Sequence, residues 1–335
     1  MKFSEIIGQE AIKEHFRGAL SRGQISQAYI LEGEPLSGKK MMADAFAAAL
    51  LCERSEEDAC GMCHSCRMAA SHNHPDIIHT FHSKPNYYLR EEIKDQVLDN
   101  VVLRPFYGKY KLYIIDDAQL LTPQCQNALL KTLEDPPPYI VILLLCTSTS
   151  FFLETVRSRC TKLTIAPVAD EIIMKKLGRD HQIPEYQARP ILAFARGNLG
   201  KAISLSSNDE FSNLKRTTLT LLMHLADRPI PQLFTEAETL EALARQRMGE
   251  LFDLILLWYR DVIVAKATSS TGLKRSSALL TFQEEEDSYA IDQASRKLGY
   301  PKIIENVQAI AKARKQLTEH VGSEKVLQQL ILELL

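Results

Sequence analysis

Residues 28–51, AYILEGEPLSGKKMMADAFAAALL, decide the fold. A short apolar run closes on Gly33, a glycine loop follows, and a helix rich in Ala, Met and Phe begins at Lys39. Strand, glycine loop and helix in that order are the context a phosphate-binding loop requires. Within it, Gly33-Glu34-Pro35-Leu36-Ser37-Gly38-Lys39-Lys40 fits the pattern G-x-x-x-x-G-K-[ST] at every position but the last. In such a loop, backbone N–H groups and the helix N-terminus cradle phosphates, and Lys39 would reach the terminal ones. The hydroxyl that normally holds Mg²⁺ is replaced by Lys40, which cannot coordinate a metal and puts positive charge where the metal would sit. The expectation is a loop that keeps its fold without hydrolysing ATP.

Outward from this unit, YKLYIIDDA (110–118) reads as a second buried strand ending in Asp116 and Asp117. In phosphate-loop ATPases an acid at this place binds Mg²⁺ and the next polarises the attacking water. Asp117 stands where Glu is usual and reaches one methylene less far; the alternative is a pair of solvated acids at a strand end. QCQNALLKTLED (124–135) predicts a helix stopped by Pro136-Pro137-Pro138. IVILLLCTS (140–148) and TKLTIAPV (161–168) predict two further strands, and residues 9–22 a helix. Alternating strands and helices imply a parallel, doubly wound α/β sheet with helices on both faces.

After Pro167 the strand signals stop. Residues 169–207 read as short helices, and helical patterns dominate from 208 onward, among them 244–267 with Trp258, and 301–318; ATSSTGLKRSS (267–277) reads as a loop. Three segments follow: an α/β module at 1–166, a small helical domain at 167–207 and a larger all-α domain at 208–335. With 45% hydrophobic and 24% charged residues the chain can bury a sizeable core. A net charge of −2 calls for neither nucleic acid nor an acidic membrane surface. No run reaches the roughly 18 apolar residues of a membrane span, and the amphipathic start lacks a signal-peptide core, so a cytoplasmic protein is expected.

Four of the seven cysteines cluster as Cys52-x7-Cys60-x2-Cys63-x2-Cys66. Zn²⁺ takes four thiolates in a tetrahedron, and cysteines separated by two residues grip one ion well. Placed between a helix and the next strand, the set predicts a closed structural site with no open position for catalysis. His64, His72 and His74 could replace a ligand, but four thiolates already complete the shell. The expected cofactor is one structural Zn²⁺; the missing Mg²⁺ ligand argues against ATP or ADP as a second. Ser158-Arg159-Cys160 follows the third predicted strand by a short helix; taken alone, Arg159 is a surface charge.

The ordered set IIGQEAIKEHFRGAL, ISQAYILEG, the cysteine cluster, NHPDI, YKLYIIDDAQLLT, NALLKTLEDPP, SRC and GNLGKAI resembles bacterial clamp-loader subunits, the AAA+ subunits of DNA polymerase III holoenzyme. The resemblance is strong over residues 1–205 and weaker in the tail EKVLQQLILELL. It implies an AAA+ module carrying the zinc insertion, a helical lid and a helical collar that packs subunits into a five-membered ring. Implied partners are the delta and gamma/tau subunits, the sliding clamp, and primer–template DNA through the complex, with no membrane. Motor subunits of this family keep Thr or Ser where this chain has Lys40, and a lid Arg where it has Gly200. The resemblance therefore implies a stator rather than a motor, with Arg159 as a finger reaching a neighbour's ATP site. A competent motor subunit is the main rival. An unrelated zinc enzyme is opposed by the closed thiolate set, and a DNA-reading finger by the lack of a basic helix after the cysteines.

Overall fold

Lys111–Ile115 and Ile140–Cys146 are buried along their whole length, as strands covered on both faces must be. The computed structural model describes residues 2–54, 57–225, 227–245, 247–270, 280–319 and 321–335. The chain forms two compact units, Met1–Val168 with Asn198–Lys201, and Ala169–Gly197 with Ala202–Leu335.

The first unit holds strands β1 (Ala28–Glu32), β2 (Ile77–His79), β3 (Lys111–Ile115), β4 (Ile140–Cys146) and β5 (Thr161–Thr164). They form one sheet in the order β2-β3-β4-β1-β5, parallel throughout. Its helices are α1 (Glu10–Arg22), α2 (Lys39–Leu50), α3 (His64–Ala70), α4 (Arg90–Ile93), α5 (Pro123–Glu134) and α6 (Glu154–Arg157). The two-residue period of a strand sorts β4 between two cores. Ile140, Ile142, Leu144 and Cys146 face one core, with Leu129 and Leu133 of α5; Val141, Leu143 and Leu145 face the other, with Phe16 of α1 and Phe46 of α2. The Phe16 and Phe46 rings stack at 4.1 Å. Helices on both faces are what the sequence predicts.

Four expectations change. The sheet has a strand the sequence reading missed, β2, because three half-buried residues at an edge carry no usable periodicity. The predicted strand at 161–168 ends at Thr164, and the predicted helix at 244–267 starts later, at Met248. Most of the predicted loop at 267–277 lies outside the described residues, while residues 267–270 still belong to a helix.

The second unit is helical: α7 (Asp170–His181), α8 (Glu185–Ala195), α9 (Leu199–Ser206, whose start clusters with the first unit), α10 (Asp209–His224), α11 (Ile230–Ala244), α12 (Met248–Ser270), α13 (Glu285–Lys297), α14 (Tyr300–Thr318) and α15 (Ser323–Leu334). Helix α12 is the hub, packed on α10, α13 and α14, with Phe252, Leu254 and Trp258 buried. Asp261, fully buried on α12, accepts the backbone N–H groups of Thr281 and Phe282 at 2.7 and 2.9 Å. No helix among the described residues is long and apolar enough to cross a membrane.

Asp287 on α13 is buried, and its Oδ2 has no hydrogen-bond partner among the described residues. Burial pushes its carboxyl up to about 6, against the pull of Lys215. Between about pH 4 and pH 6 the folded chain holds a proton that the unfolded chain has lost, so stability falls as pH rises through that window. Asp287→Asn is expected to flatten this slope. Urea midpoints measured at about pH 4 and pH 7 check it: an equal slope in wild type and variant contradicts the assignment.

Candidate functional site

The phosphate-type loop runs from the end of β1 into α2. Gly33 admits no side chain, since a Cβ there would lie 2.7 Å from Ser37 Oγ and 2.9 Å from Ile165 Cβ. Gly38 precedes α2 with φ +93°, a conformation that favours glycine. The loop geometry is therefore present, but both of its lysines already have partners within the chain. Lys39 Nζ donates to the loop's own carbonyls, Gly33 O at 2.7 Å and Glu34 O at 2.9 Å. Burial lowers the Lys39 amine, while Asp116, Cys146 and Asp117 pull it back up. Lys40 Nζ lies 3.6 Å from Asp116 Oδ2, so a lysine ammonium meets the carboxylate that a metal would need.

Asp116 and Asp117 follow β3 directly. Asp117 adopts a left-handed conformation, φ +47°, accepts from Gln119 Nε2 at 2.9 Å and faces His82 at 3.9 Å. Its carboxylate is thus partnered on the surface. Gly33, Gly38, Lys39, Lys40, Asp116 and Asp117 all come to the ends of β1 and β3. Gly200 joins them: a Cβ at this position would lie 2.1 Å from Leu36 O. Its neighbour Asn198 donates from Nδ2 to Pro35 O at 2.8 Å and accepts the Lys201 N–H at 3.0 Å. The loop is therefore covered by backbone where the resemblance places an arginine.

Cys52, Cys60, Cys63 and Cys66 bring their sulfurs within 4.8 Å of one another. Backbone N–H groups point at them: Cys60 N to Cys52 Sγ at 3.4 Å, Met62 N and Cys63 N to Cys60 Sγ at 3.4 and 3.3 Å, and Cys66 N to Cys63 Sγ at 3.3 Å. Such donors stabilise thiolates, and those from Met62 and Cys63 bring Cys60 down to about 6. Burial pushes Cys66 the other way. Four sulfurs at tetrahedral reach, donor-lined and closed off by Ala48 and Ala59, fit one structural Zn²⁺, which would tie the end of α2 to the start of α3. His74 takes no part. It is buried, bonded to Ser65 Oγ at 3.0 Å and to the Asp76 N–H at 3.1 Å.

Arg159 lies between α6 and β5 with its side chain 35% exposed. Its Nη2 pairs with Glu134 Oε1 at 2.8 Å and its Nη1 donates to Thr155 O at 2.8 Å. The guanidinium is on the surface, apart from the loop of its own chain.

Two groupings escaped the sequence reading. Asp76 is buried and accepts the N–H groups of Phe106 and Tyr107 at 2.6 and 2.8 Å. Asp44, His72 and His79 converge, although 28 residues separate Asp44 from His72. A buried acid in NHPDI was the available signal for the first; no spacing signals the second.

The family model described as DNA polymerase III, delta subunit, matches residues 8–169. The delta' subunit of DNA polymerase III from Bacillus subtilis is 26% identical over 331 residues, covering 97% of this chain and 96% of that relative. The gamma/tau subunit from Mycoplasma pneumoniae is 29% identical over 221 residues, 64% of this chain and 32% of that one. The tau subunit from Escherichia coli is 32% identical over 212 residues, 61% of this chain and 32% of that one. The chain thus spans about a third of the length of these gamma/tau and tau relatives. A DNA polymerase III gamma subunit-related protein from Thermotoga maritima overlays with a TM-score of 0.42 at 16% identity, over 96% of this chain and 98% of that one. The matches are to subunits of DNA polymerase III, and the one to the delta' relative runs through nearly the whole of both chains.

Proposed function

We propose that this chain is the delta-prime type of subunit, a stator that helps load the sliding clamp onto primed DNA without hydrolysing ATP itself. The observation that carries the reading is the engagement of both lysines within the chain, Lys39 on Gly33 O and Glu34 O and Lys40 in an exposed pair with Asp116. A nucleotide would have to displace the first pair, and Mg²⁺ the second. The alignment supports the same reading, since the match to the delta' relative runs through nearly all of both chains. In this proposal residues 1–166 are the AAA+ module, 167–207 the lid and 208–335 the collar of a five-membered ring with delta and gamma/tau.

Arg159 is the chain's contribution to chemistry. A guanidinium grips phosphate oxygens in a fork and stays charged at any working pH. An exposed pair such as Arg159–Glu134 is worth about 0–1 kcal/mol, so Glu134 can release the arginine to a neighbour's phosphate at little cost. Fingers acting in trans on GTPases are worth roughly 10³–10⁵ in rate. A loader has several ATP sites, so losing one finger costs the whole assembly less than that.

The test is reconstitution with delta and gamma/tau subunits. Wild type, Arg159→Ala and Arg157→Ala are expected to fold, bind zinc and assemble alike. DNA-stimulated ATP hydrolysis and clamp loading fall several-fold for Arg159→Ala alone. Equal loading by the two variants removes the finger, and failure of the wild-type chain to co-assemble removes the stator. Metal-dependent turnover by the isolated chain would instead make it a motor subunit.

A further inference from the structure

Between α2, the turn after α3 and the edge strand β2 lies a second set of metal-ligating side chains, separate from the four cysteines. Asp44 extends from α2, and its side chain is 14% exposed. His79 ends β2, and its Nε2 lies 3.5 Å from Asp44 Oδ1. His72 sits in the turn after α3 with φ +54°, and its ring stands 5.6 Å from that of His79 at 74°. One ligand atom from each of the three lies within 4.8 Å of the others. They border a recess of about 10 Å³ completed by Ala69, His74 and Ile77. That is about the space one water or one ion needs.

We propose that Asp44, His72 and His79 form a divalent transition-metal site, holding an ion of the Zn²⁺, Co²⁺ or Ni²⁺ class through one carboxylate oxygen and two imidazole nitrogens. The donor set selects the metal: imidazole suits Zn²⁺, Co²⁺ and Ni²⁺, whereas Mg²⁺ and Ca²⁺ take oxygen ligands. The spacing agrees. Two ligands at roughly 2.0–2.1 Å from a tetrahedral ion stand about 3.3–3.4 Å apart, and Asp44 and His79 need to close by only a small side-chain rotation.

The surroundings leave the ligands in the right states. Among the described residues, His79 alone meets the Asp44 carboxylate at ion-pair distance. Burial lowers His79 and so favours the neutral ring that can offer a lone pair. Burial also raises Asp44, a cost a bound cation would relieve. Lys40 acts on Asp44 and His79 only at longer range and pairs with Asp116 at 3.6 Å. His72 is exposed, so the fourth position opens to water and the site can exchange its ion. This is a different chemistry from the closed thiolate set, and the inference does not depend on the clamp-loader role.

The experiment is zinc equilibrium dialysis of the full chain, with metal and reactive thiols counted together. Wild type is expected to bind two equivalents, the second after the four clustered thiols have become unreactive. Titrated with Co²⁺ in place of Zn²⁺, the second equivalent gives weak visible d–d bands without new sulfur-to-cobalt charge transfer. His72→Gly, whose backbone conformation suits glycine, is expected to keep the fold and the first equivalent and to lose the second at least tenfold in affinity. His79→Gln should do the same. A wild-type chain that stops at one equivalent overturns the site, as does a second equivalent that survives in His72→Gly.

Discussion

A Cys63→Ser, Cys66→Ser double variant is expected to lose its zinc and to melt well below the wild-type chain. Cys63 and Cys66 are 2% and 3% exposed, and the cluster around them is small: Ala48 and Ala59, with Cys52, Cys60 and Ala69 at its margin. So little apolar area cannot hold a fifteen-residue insertion by burial alone. Structural Zn²⁺ supplies about 10–16 kcal/mol in finger peptides, where the metal is the core. Here the insertion also anchors the chain's start, because Asp58 Oδ1 accepts the Phe3 N–H at 3.0 Å. Phe3 is fully buried against Phe16, so loosening its anchor exposes part of the main core. The loss of stability should reach about 3–5 kcal/mol, the range for removing a buried aromatic. Calorimetry with and without a chelator, beside elemental zinc, measures it. An unchanged melting temperature with freely titrating thiols would show that the four cysteines hold no metal.

The second large effect is expected at Gly200. A Cβ there would come within 2.1 Å of Leu36 O and 3.1 Å of Leu36 C, and these are backbone atoms that cannot step aside. Gly200→Ala should cost about 1–3 kcal/mol by overpacking, and Gly200→Arg at least as much. Either substitution forces residues 198–201 off the loop and breaks the bond from Asn198 to Pro35. Lys40→Thr combined with Gly200→Arg should therefore produce a less stable chain rather than an ATPase. Denaturation midpoints and steady-state ATP turnover are the measurements. Unaltered stability in Gly200→Ala would remove the contact, and turnover in the double variant would mean that only two side chains separate this chain from a motor.

Sequence shows best what depends on neighbours along the chain. The run IVILLLC announces a strand covered on both faces because every residue is apolar, and β4 is buried throughout. Cys52, Cys60, Cys63 and Cys66 declare themselves by spacing, and their sulfurs do meet. What depends on the third dimension stays hidden. Lys39 looks like a phosphate ligand from its place in the motif; its turn onto Gly33 O is set by where the loop's carbonyls point. Gly200 reads as a missing arginine, whereas the fold adds that no side chain of any kind fits. His72 reads only as a spare ligand for the cysteine site and His79 lies on a strand the sequence does not announce; the fold is what brings His79 beside Asp44 of α2.

The sheet ends on both sides in its shortest strands, β2 with three residues and β5 with four. On β5 the sequence is Thr-Lys-Leu-Thr, and Lys162 is fastened to Glu32 at 2.7 Å. Short, charged edges offer a poor template for another strand. A second copy finds little edge on which to extend the β-ladder, and the apolar strands that would stack well, β3 and β4, lie inside the sheet. A surplus of the chain should therefore resist growing into fibrils through its sheet edges.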